Sequence, residues 1–207
     1  DRVREVAVMR SASAAVSTQA YAGRAHRFRQ IQGRAERRAV VVPKVTSESR
    51  EYLPVGLLTA RSIISDNAFA LYDSPLWTLG LIASRLHLVW VATVCGKLET
   101  RYRYSNTLGW NAFPVPTLTD QNKADLTATA ENILLAREHY FPATMADMYD
   151  PDRTDEEFPL VRRAHEQNDE VLERIYIGRR FKNDTERLEK LFELYTKRTA
   201  EQPQPKK

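Results

Sequence analysis

Residues 84–116 read S-R-L-H-L-V-W-V-A-T-V-C-G-K-L-E-T-R-Y-R-Y-S-N-T-L-G-W-N-A-F-P-V-P, and the fold turns on this stretch. Its first half is apolar enough to be a buried helix. From Lys97 to Ser105 the text switches abruptly to Lys, Glu, two Arg and two Tyr. Pro114 and Pro116 at its end rule out a continuing helix, because each lacks a backbone donor and pushes the residue before it out of the helical region. A buried helix therefore delivers a cluster of polar, planar and cationic side chains to a surface. These are the residue types that read base edges and hold phosphates.

Immediately upstream, Asp73-Ser74-Pro75 reads as a helix start: Ser74 can accept free N–H groups as N-cap, and Pro75 is pre-set for the first helical position. The helix is expected to run through Trp77, Leu79, Leu81, Ile82, Leu86, Leu88, Val89, Val91 and Val94 to Cys95. Apolar residues on nearly all faces mark it as central and buried. Arg85 and His87 are its few polar positions, and His87 reads as a hydrogen-bonded core histidine ahead of a DNA contact. Further upstream, Ala39 to Val45 is a β-branched run and reads as a strand, with Pro43 placing it at an edge or marking its end. A second strand is predicted over Tyr52–Leu58 and a third over Ser62–Tyr72, broken near Asp66-Asn67 by turn-forming residues. The text T-S-E-S-R-E-Y-L-P, Thr46 to Pro54, follows the first strand and suits a phosphate-gripping edge. Residues 1–31 read as helix with breaks. Val3, Val6 and Met9 with Arg4 and Arg10 form a short amphipathic run, and Ser17-Thr18 can cap a second helix through Tyr21. Arg24, His26, Arg27 and Arg29 then interleave with Phe28, which suits either phosphate contacts or a solvated face.

From Asp120 the texture changes. Amphipathic helices are predicted over Lys123–His139, Val161–Tyr176 and Thr185–Tyr195, the last with a weak capping arrangement at Asp184-Thr185. The tail from Ala200, A-E-Q-P-Q-P-K-K, is expected to be disordered. The predicted architecture is α+β: a mixed sheet with a central buried helix in a domain of residues 1–119, a small all-α domain of residues 120–199, and the tail 200–207.

Composition allows this. Apolar residues make up 43% of the chain, enough for a real core, and its 28% of charged residues is ordinary for a globular protein. No charge-free run of 18 apolar residues exists, so no membrane span is expected. There is no secretory pattern, and Asp at position 1 suggests a piece cut from a longer chain. The single cysteine, Cys95, reads as a buried structural thiol. His26, His87, His139 and His165 show no metal-ligand spacing. The net charge of +4 hides an asymmetry: residues 1–119 hold 16 Lys/Arg against 8 Asp/Glu, and residues 120–207 hold 15 against 19. The first half is thus the one suited to a polyanion, the alternative being an ordinary solvated charged surface.

The long stretch also resembles a known family, the MmeI-like single-chain Type II restriction–modification enzymes, which join a nuclease, an N6-adenine DNA methyltransferase, a target-recognition domain and a helical C-terminal domain. The resemblance rests on Ser84, Arg85, His87 and Trp90, on Gly96 and Leu98, on Tyr102-Arg103-Tyr104-Ser105, and on Asn111, Phe113, Pro114 and Pro116. It departs at Leu108-Gly109-Trp110 and Ala112. It continues at Ser47, Glu48, Arg50 and Tyr52, with Ser49 where an Arg is common. In the second half it extends over A-D-M-Y-D-P at 146–151, Ala164-His165 with Asp169, and E-R-L-x-x-L-F-E-L-Y at 186–195. It implies sequence-specific reading of double-stranded DNA beside an upstream methyltransferase domain in a prokaryotic cytoplasm. It also implies that S-adenosylmethionine, and Mg for any nuclease, serve the parent enzyme and not this fragment.

The sequence contains no N-P-P-Y motif, no Gly-rich cofactor segment, no P-loop, no H-E-x-x-H and no G-x-S-x-G, so no catalytic set can be assembled. The sharpest local signal is Glu99-Thr100-Arg101. Arg pairs with the O6 and N7 acceptors of guanine and Glu accepts from the N4 amino group of cytosine. Residues two apart point the same way on an extended segment, so the two can face one C·G pair together. The alternative is a surface salt bridge worth about 0–1 kcal/mol; the resemblance favours base reading. Lys44, Ser47, Arg50, Lys97, Arg103, Tyr104 and Ser105 are then expected on the DNA backbone or as stacking partners, unless Tyr102 or Tyr104 belongs to the core. The other function class left open is a non-enzymatic interaction or scaffolding domain with a basic surface.

Overall fold

A computed structural model describes residues 1–29, 31 and 33–201. The chain divides into two compact units, Asp1–Arg34 and Ala35–Lys207.

The first unit holds α1 (Arg2–Ser11), α2 (Val16–Gln19) and a 3₁₀ turn at Ala22–Arg24. The Asp1 carboxylate caps α1 by accepting from the Val3 N–H at 3.0 Å. Arg10 ties the unit together by donating to the carbonyls of Tyr21, Arg24 and Arg27 at 3.1, 3.0 and 2.9 Å. The expected Ser17-Thr18 cap does not form: α2 follows Ala15 without a side-chain cap, and the Ser17 hydroxyl instead accepts from Arg29 at 2.9 Å.

In the second unit β1 (Arg38–Pro43) is the middle strand of an antiparallel sheet, flanked by β3 (Gly56–Thr59) and β4 (Ala68–Tyr72). Pro43 therefore marks a strand end, not an edge. Its missing donor is tolerated because pairing with β3 stops at Val41↔Gly56, and Pro43 faces only Ala68 of β4. The two flanking strands are shorter than predicted. Pro54 and a Val55 N–H to Leu53 carbonyl bond of 2.8 Å turn the chain before Gly56, which leaves Leu53 and Val55 fully buried. The turn at Asp66-Asn67 leads into β4, and its Asn67 carbonyl accepts from the Lys44 N–H at 3.0 Å. The remaining strands, β2 (Val45–Thr46), β5 (Lys97–Leu98) and β6 (Arg101–Arg103), make a second antiparallel sheet in the order β2-β6-β5. The α+β architecture thus uses two small sheets where one mixed sheet was expected.

The central helix is divided into α3 (Trp77–Ile82) and α4 (Arg85–Val94). Ser84 is the cause. Its hydroxyl donates back to the Leu81 carbonyl at 2.7 Å and accepts from the His87 N–H at 3.1 Å, so it ends one helix and caps the next. Nor does Ser74 cap α3: it donates to the Leu71 carbonyl at 3.4 Å and accepts from the Thr78 hydroxyl at 3.0 Å. Asp73 instead holds the approach to β1, accepting from the N–H groups of Glu36, Arg37 and Arg38 at 2.7, 2.8 and 3.2 Å.

Thr119 as N-cap and Asn122 in the first turn form the capping box that opens α5 (Asp120–His139). The short helices α6 (Met145–Met148) and α7 (Thr154–Glu157) follow. The last two helices are α8 (Pro159–Ile177), ended by Gly178 at φ 76°, and α9 (Asp184–Glu201). The Asn183 side chain, not Thr185, accepts the early N–H of α9, from Glu186 at 3.0 Å. Ala200 and Glu201 are helical, contrary to the expected tail; residues 202–207 lie outside the described residues. The positions flanking 119/120 share one compact unit, because Ala130, Ile133 and Ala164 lie in the same core as Val40, Val42 and Leu79. A second core joins Leu86, Trp90 and Phe113 to Leu126, Leu172 and Leu191.

Gly80 lets α3 approach α5 and α8 closely. A Cβ there would stand 2.9 Å from Asn168 Oδ1 and 3.1 Å from the Leu126 carbonyl. The Asn168 amide is itself fixed by the Gly80 carbonyl at 2.8 Å and the Thr129 hydroxyl at 2.8 Å. Gly80→Ala is expected to cost about 1–3 kcal/mol in urea unfolding, the usual range for overpacking. An unchanged midpoint would mean the helices separate freely.

Candidate nucleic-acid interface

The second sheet brings most of the expected site residues together. On β6 the alternation of a strand puts Arg101 and Arg103 on the exposed side, with Tyr102 half-buried and Tyr104 buried on the other. Lys97 pairs in register with Tyr102 and sets its ammonium 5.5 Å from that ring. Val45 and Thr46 of β2 pair with Arg103 and Tyr102, which brings the loop of Ser47 and Arg50 to the same sheet. The Ser47 hydroxyl bonds Ser49 at 2.8 Å, and Arg50 donates to the Thr46 hydroxyl at 3.3 Å. Lys44 is half-buried, its ammonium 5.2 Å from the centre of the Phe69 ring.

Glu99 and Thr100 are the two-residue loop of the β5–β6 hairpin, since Leu98 pairs with Arg101. Glu99 takes φ 57°, the left-handed conformation that favours glycine. Glu99 and Arg101 are therefore not neighbours on an extended strand as expected. The turn brings them together instead, at 2.7 Å, with side chains 75% and 47% exposed. Such an exposed pair adds little to stability. The Glu48 carboxylate lies against the same turn. It is held below its ordinary range by its own backbone N–H first and the Thr100 hydroxyl second, with Lys97 and Arg101 adding to the effect.

Tyr104 and Ser105 are both engaged within the fold. Tyr104 is only 5% exposed, and its hydroxyl bonds His87 Nε2 at 3.0 Å. Gly109 makes room for its ring, since a Cβ there would stand 3.1 Å from it. Ser105 is turned to a structural task, accepting from the Leu108 N–H at 3.3 Å to open a π-helix at Asn106–Asn111.

His87 is the core histidine expected, fully buried and edge-on to Phe113 at 4.5 Å. Burial pushes its pKa from 6.5 down to about 3, so the ring is neutral when folded. An unfolded chain binds this proton below pH 6.5 and the folded chain does not. The contribution is therefore complete above pH 6.5 and is lost as pH falls toward 3. His87→Gln is expected to flatten the fall of unfolding free energy over that window by about 1.4 kcal/mol per pH unit. Equal slopes for both proteins in urea titrations would contradict this.

Tyr52, Arg85, Asp169 and Asp184 form a polar joint whose long-range pairings the sequence did not indicate. Asp169 of α8 accepts from the Tyr52 hydroxyl at 2.9 Å and from the Arg85 N–H at 2.8 Å. Burial pushes its carboxyl up to about 7, against the pull of those two donors. The Arg85 guanidinium pairs with Asp184 of α9 at 2.6 Å. From α9 Arg198 donates to the carbonyls of Asn111, Ala112 and Phe113 at 3.1, 2.9 and 3.1 Å, bracing the N-A-F-P segment.

Comparison with known proteins places this geometry. Residues 1–117 match the family model of the MmeI target recognition domain, and residues 118–202 match that of the MmeI C-terminal domain. The chain belongs to the MmeI family. Its fold matches the Type IIL restriction-modification enzyme MmeI, solved in complex with DNA, with a TM-score of 0.81 and 28% identity, over 96% of this chain and 26% of that one. DNA methyltransferase A of Bacillus subtilis (strain 168) is 40% identical over 161 residues, 78% of this chain and 18% of that protein. The chain thus spans only a minor part of either relative. In MmeI-family terms, the hairpin and its neighbouring loop belong to the recognition domain, and Asp169, Asp184 and Arg198 to the C-terminal domain. Among the described residues no group of His, Cys, Asp or Glu could hold a metal ion. No residue here matches an S-adenosylmethionine motif, and none is assigned to that cofactor.

Proposed function

We propose that this chain is the target-reading part of a DNA (adenine-N6) methyltransferase of the restriction–modification type. The methyltransferase domain, its S-adenosylmethionine and any Mg-dependent nuclease belong to the rest of the parent enzyme, working in a prokaryotic cytoplasm. No helix among the described residues is long and apolar enough to cross a membrane. The observation that carries the reading is the exposed Glu99–Arg101 pair at a hairpin tip, in a chain of the MmeI family.

In this reading the hairpin enters the major groove. Arg101 donates to O6 and N7 of a guanine, and Glu99 accepts from N4 of the paired cytosine. The ion pair keeps both groups side by side before DNA arrives. Lys97 and Arg103 flank them, and Lys44, Ser47 and Arg50 line the β2 side, where cations and hydroxyls fix register on phosphates.

The test is the salt dependence of binding by the full-length parent to a duplex bearing its site. Each phosphate contact adds about 0.9 to the slope of log K against log salt. Arg50→Gln and Lys97→Gln should each lower the slope by roughly one and weaken binding about equally on all sequences. Slopes identical to the parent's would remove these residues from the DNA backbone.

A further inference from the structure

The loop that carries Ser47 and Arg50 and the helix that feeds the hairpin are held by one side chain, and it comes from the C-terminal part. Asp169 is 2% exposed. One of its oxygens accepts from the Tyr52 hydroxyl at 2.9 Å, the other from the Arg85 N–H at 2.8 Å. Tyr52 stands two residues beyond Arg50, and its ring lies on His165 with centroids 4.2 Å apart. Arg85 is the first residue of α4, whose last turn leads through Cys95 and Gly96 into β5. The Arg85 side chain closes a ring: it donates to the Glu51 carbonyl at 3.3 Å, one residue before Tyr52, while Asp184 holds its far end at 2.6 Å.

We infer that Asp169 is a positioning residue for DNA reading, setting the spacing between the Ser47–Arg50 loop and the Glu99–Arg101 hairpin. The inference rests on the function proposed above. A carboxylate this deep is costly to bury, and well-packed apolar residues often serve stability as well or better. What an apolar residue cannot do is accept two hydrogen bonds in one plane from two separate elements. Phosphate contacts fix the register in which base contacts are made. A loop held at the wrong distance from the hairpin therefore shifts Arg101 off its base, and positional errors near 1 Å are enough to matter.

The test uses the full-length parent enzyme and two duplexes, one with its mapped target and one with the C·G pair reversed. The readout is the ratio of methylation rates on the two, with KM for DNA and kcat measured separately. Tyr52→Phe removes one oxygen and keeps the ring. It is expected to lower the ratio roughly three- to tenfold, the value of one buried hydrogen bond, and to raise KM while leaving kcat at saturating DNA nearly unchanged. Asp169→Ala should lower the ratio further, and adding Tyr52→Phe to it should cost nothing more. Asp169→Asn should restore most of the ratio, since its amide can accept from Arg85 and donate to the Tyr52 oxygen. Arg101→Ala serves as the reference and should collapse the ratio. If Arg101→Ala collapses it while Tyr52→Phe and Asp169→Ala leave it intact, Asp169 has only a structural role and the inference is overturned. If Arg101→Ala leaves the ratio intact, hairpin reading itself fails and the inference falls with it. Should Asp169→Ala not fold, Tyr52→Phe alone decides.

Discussion

Replacing Arg101 with Ala in the parent enzyme is expected to slow methylation of its own target roughly 5- to 150-fold, the value of one good base contact of about 1–3 kcal/mol. The loss should exceed that of any single phosphate contact. Removal of the guanidinium also strands the Glu99 carboxylate, now 2.7 Å from Arg101, against a groove lined with guanine acceptors. The single change should therefore lose activity without gaining a new target. The pair Glu99→Lys and Arg101→Asp is expected to behave differently. Cation and carboxylate trade places on the same hairpin turn, so the complementary base pair is the reversed one, and the original pair now meets like with like. The turn itself should survive, because the two residues add little to stability. Rates on oligonucleotides differing only in this pair check the result.

Trp90→Ala is expected to cost about 3–5 kcal/mol of stability, enough to unfold many domains of this size outright. Trp90 is 1% exposed on α4. Its ring centre lies 5.4 Å from that of Phe192, 5.7 Å from Tyr195 and 6.3 Å from Phe113. The change thus empties a space shared by α4, α9 and the N-A-F-P segment. It also removes the donor of the Leu108 carbonyl, which accepts from the indole N–H at 2.9 Å. Leu108 is exposed, so water can take over that carbonyl and the cost is that of the emptied core. Urea unfolding of parent and variant checks this; a difference below about 1 kcal/mol would mean the core collapses to fill the gap.

The fold was legible where one local property dominated. Apolar residues on nearly all faces of residues 77–95 announced buried helix, and the abrupt change at Lys97 announced a polar display. The division at Ser84 was harder to see, because a hydroxyl can either face solvent or bond its own backbone, and only the tertiary setting chooses. The hairpin was hidden for a related reason: its turn places Glu99 at φ 57°, where glycine or asparagine would have signalled it. The resemblance to the family brought Glu99 and Arg101 forward as a pair, but strand geometry gave the wrong reason for their contact. Tyr104 was misplaced because its surroundings come from His87 and Gly109, neither adjacent to it in sequence. The Asp169 joint was the least legible of all: Tyr52 and Asp169 lie 117 residues apart, and no periodicity links them.

The central claim is that Glu99 and Arg101 read one C·G base pair, with Arg101 on guanine and Glu99 on cytosine. Mapping every methylated position across a genome, for the parent enzyme and for the Glu99→Lys, Arg101→Asp double variant, tests it most directly. The account predicts two maps identical at all positions of the site but one, where C·G has become G·C. A double variant that still methylates the parent's sequence at every position would contradict it, leaving Glu99 and Arg101 as an exposed ion pair with no part in recognition.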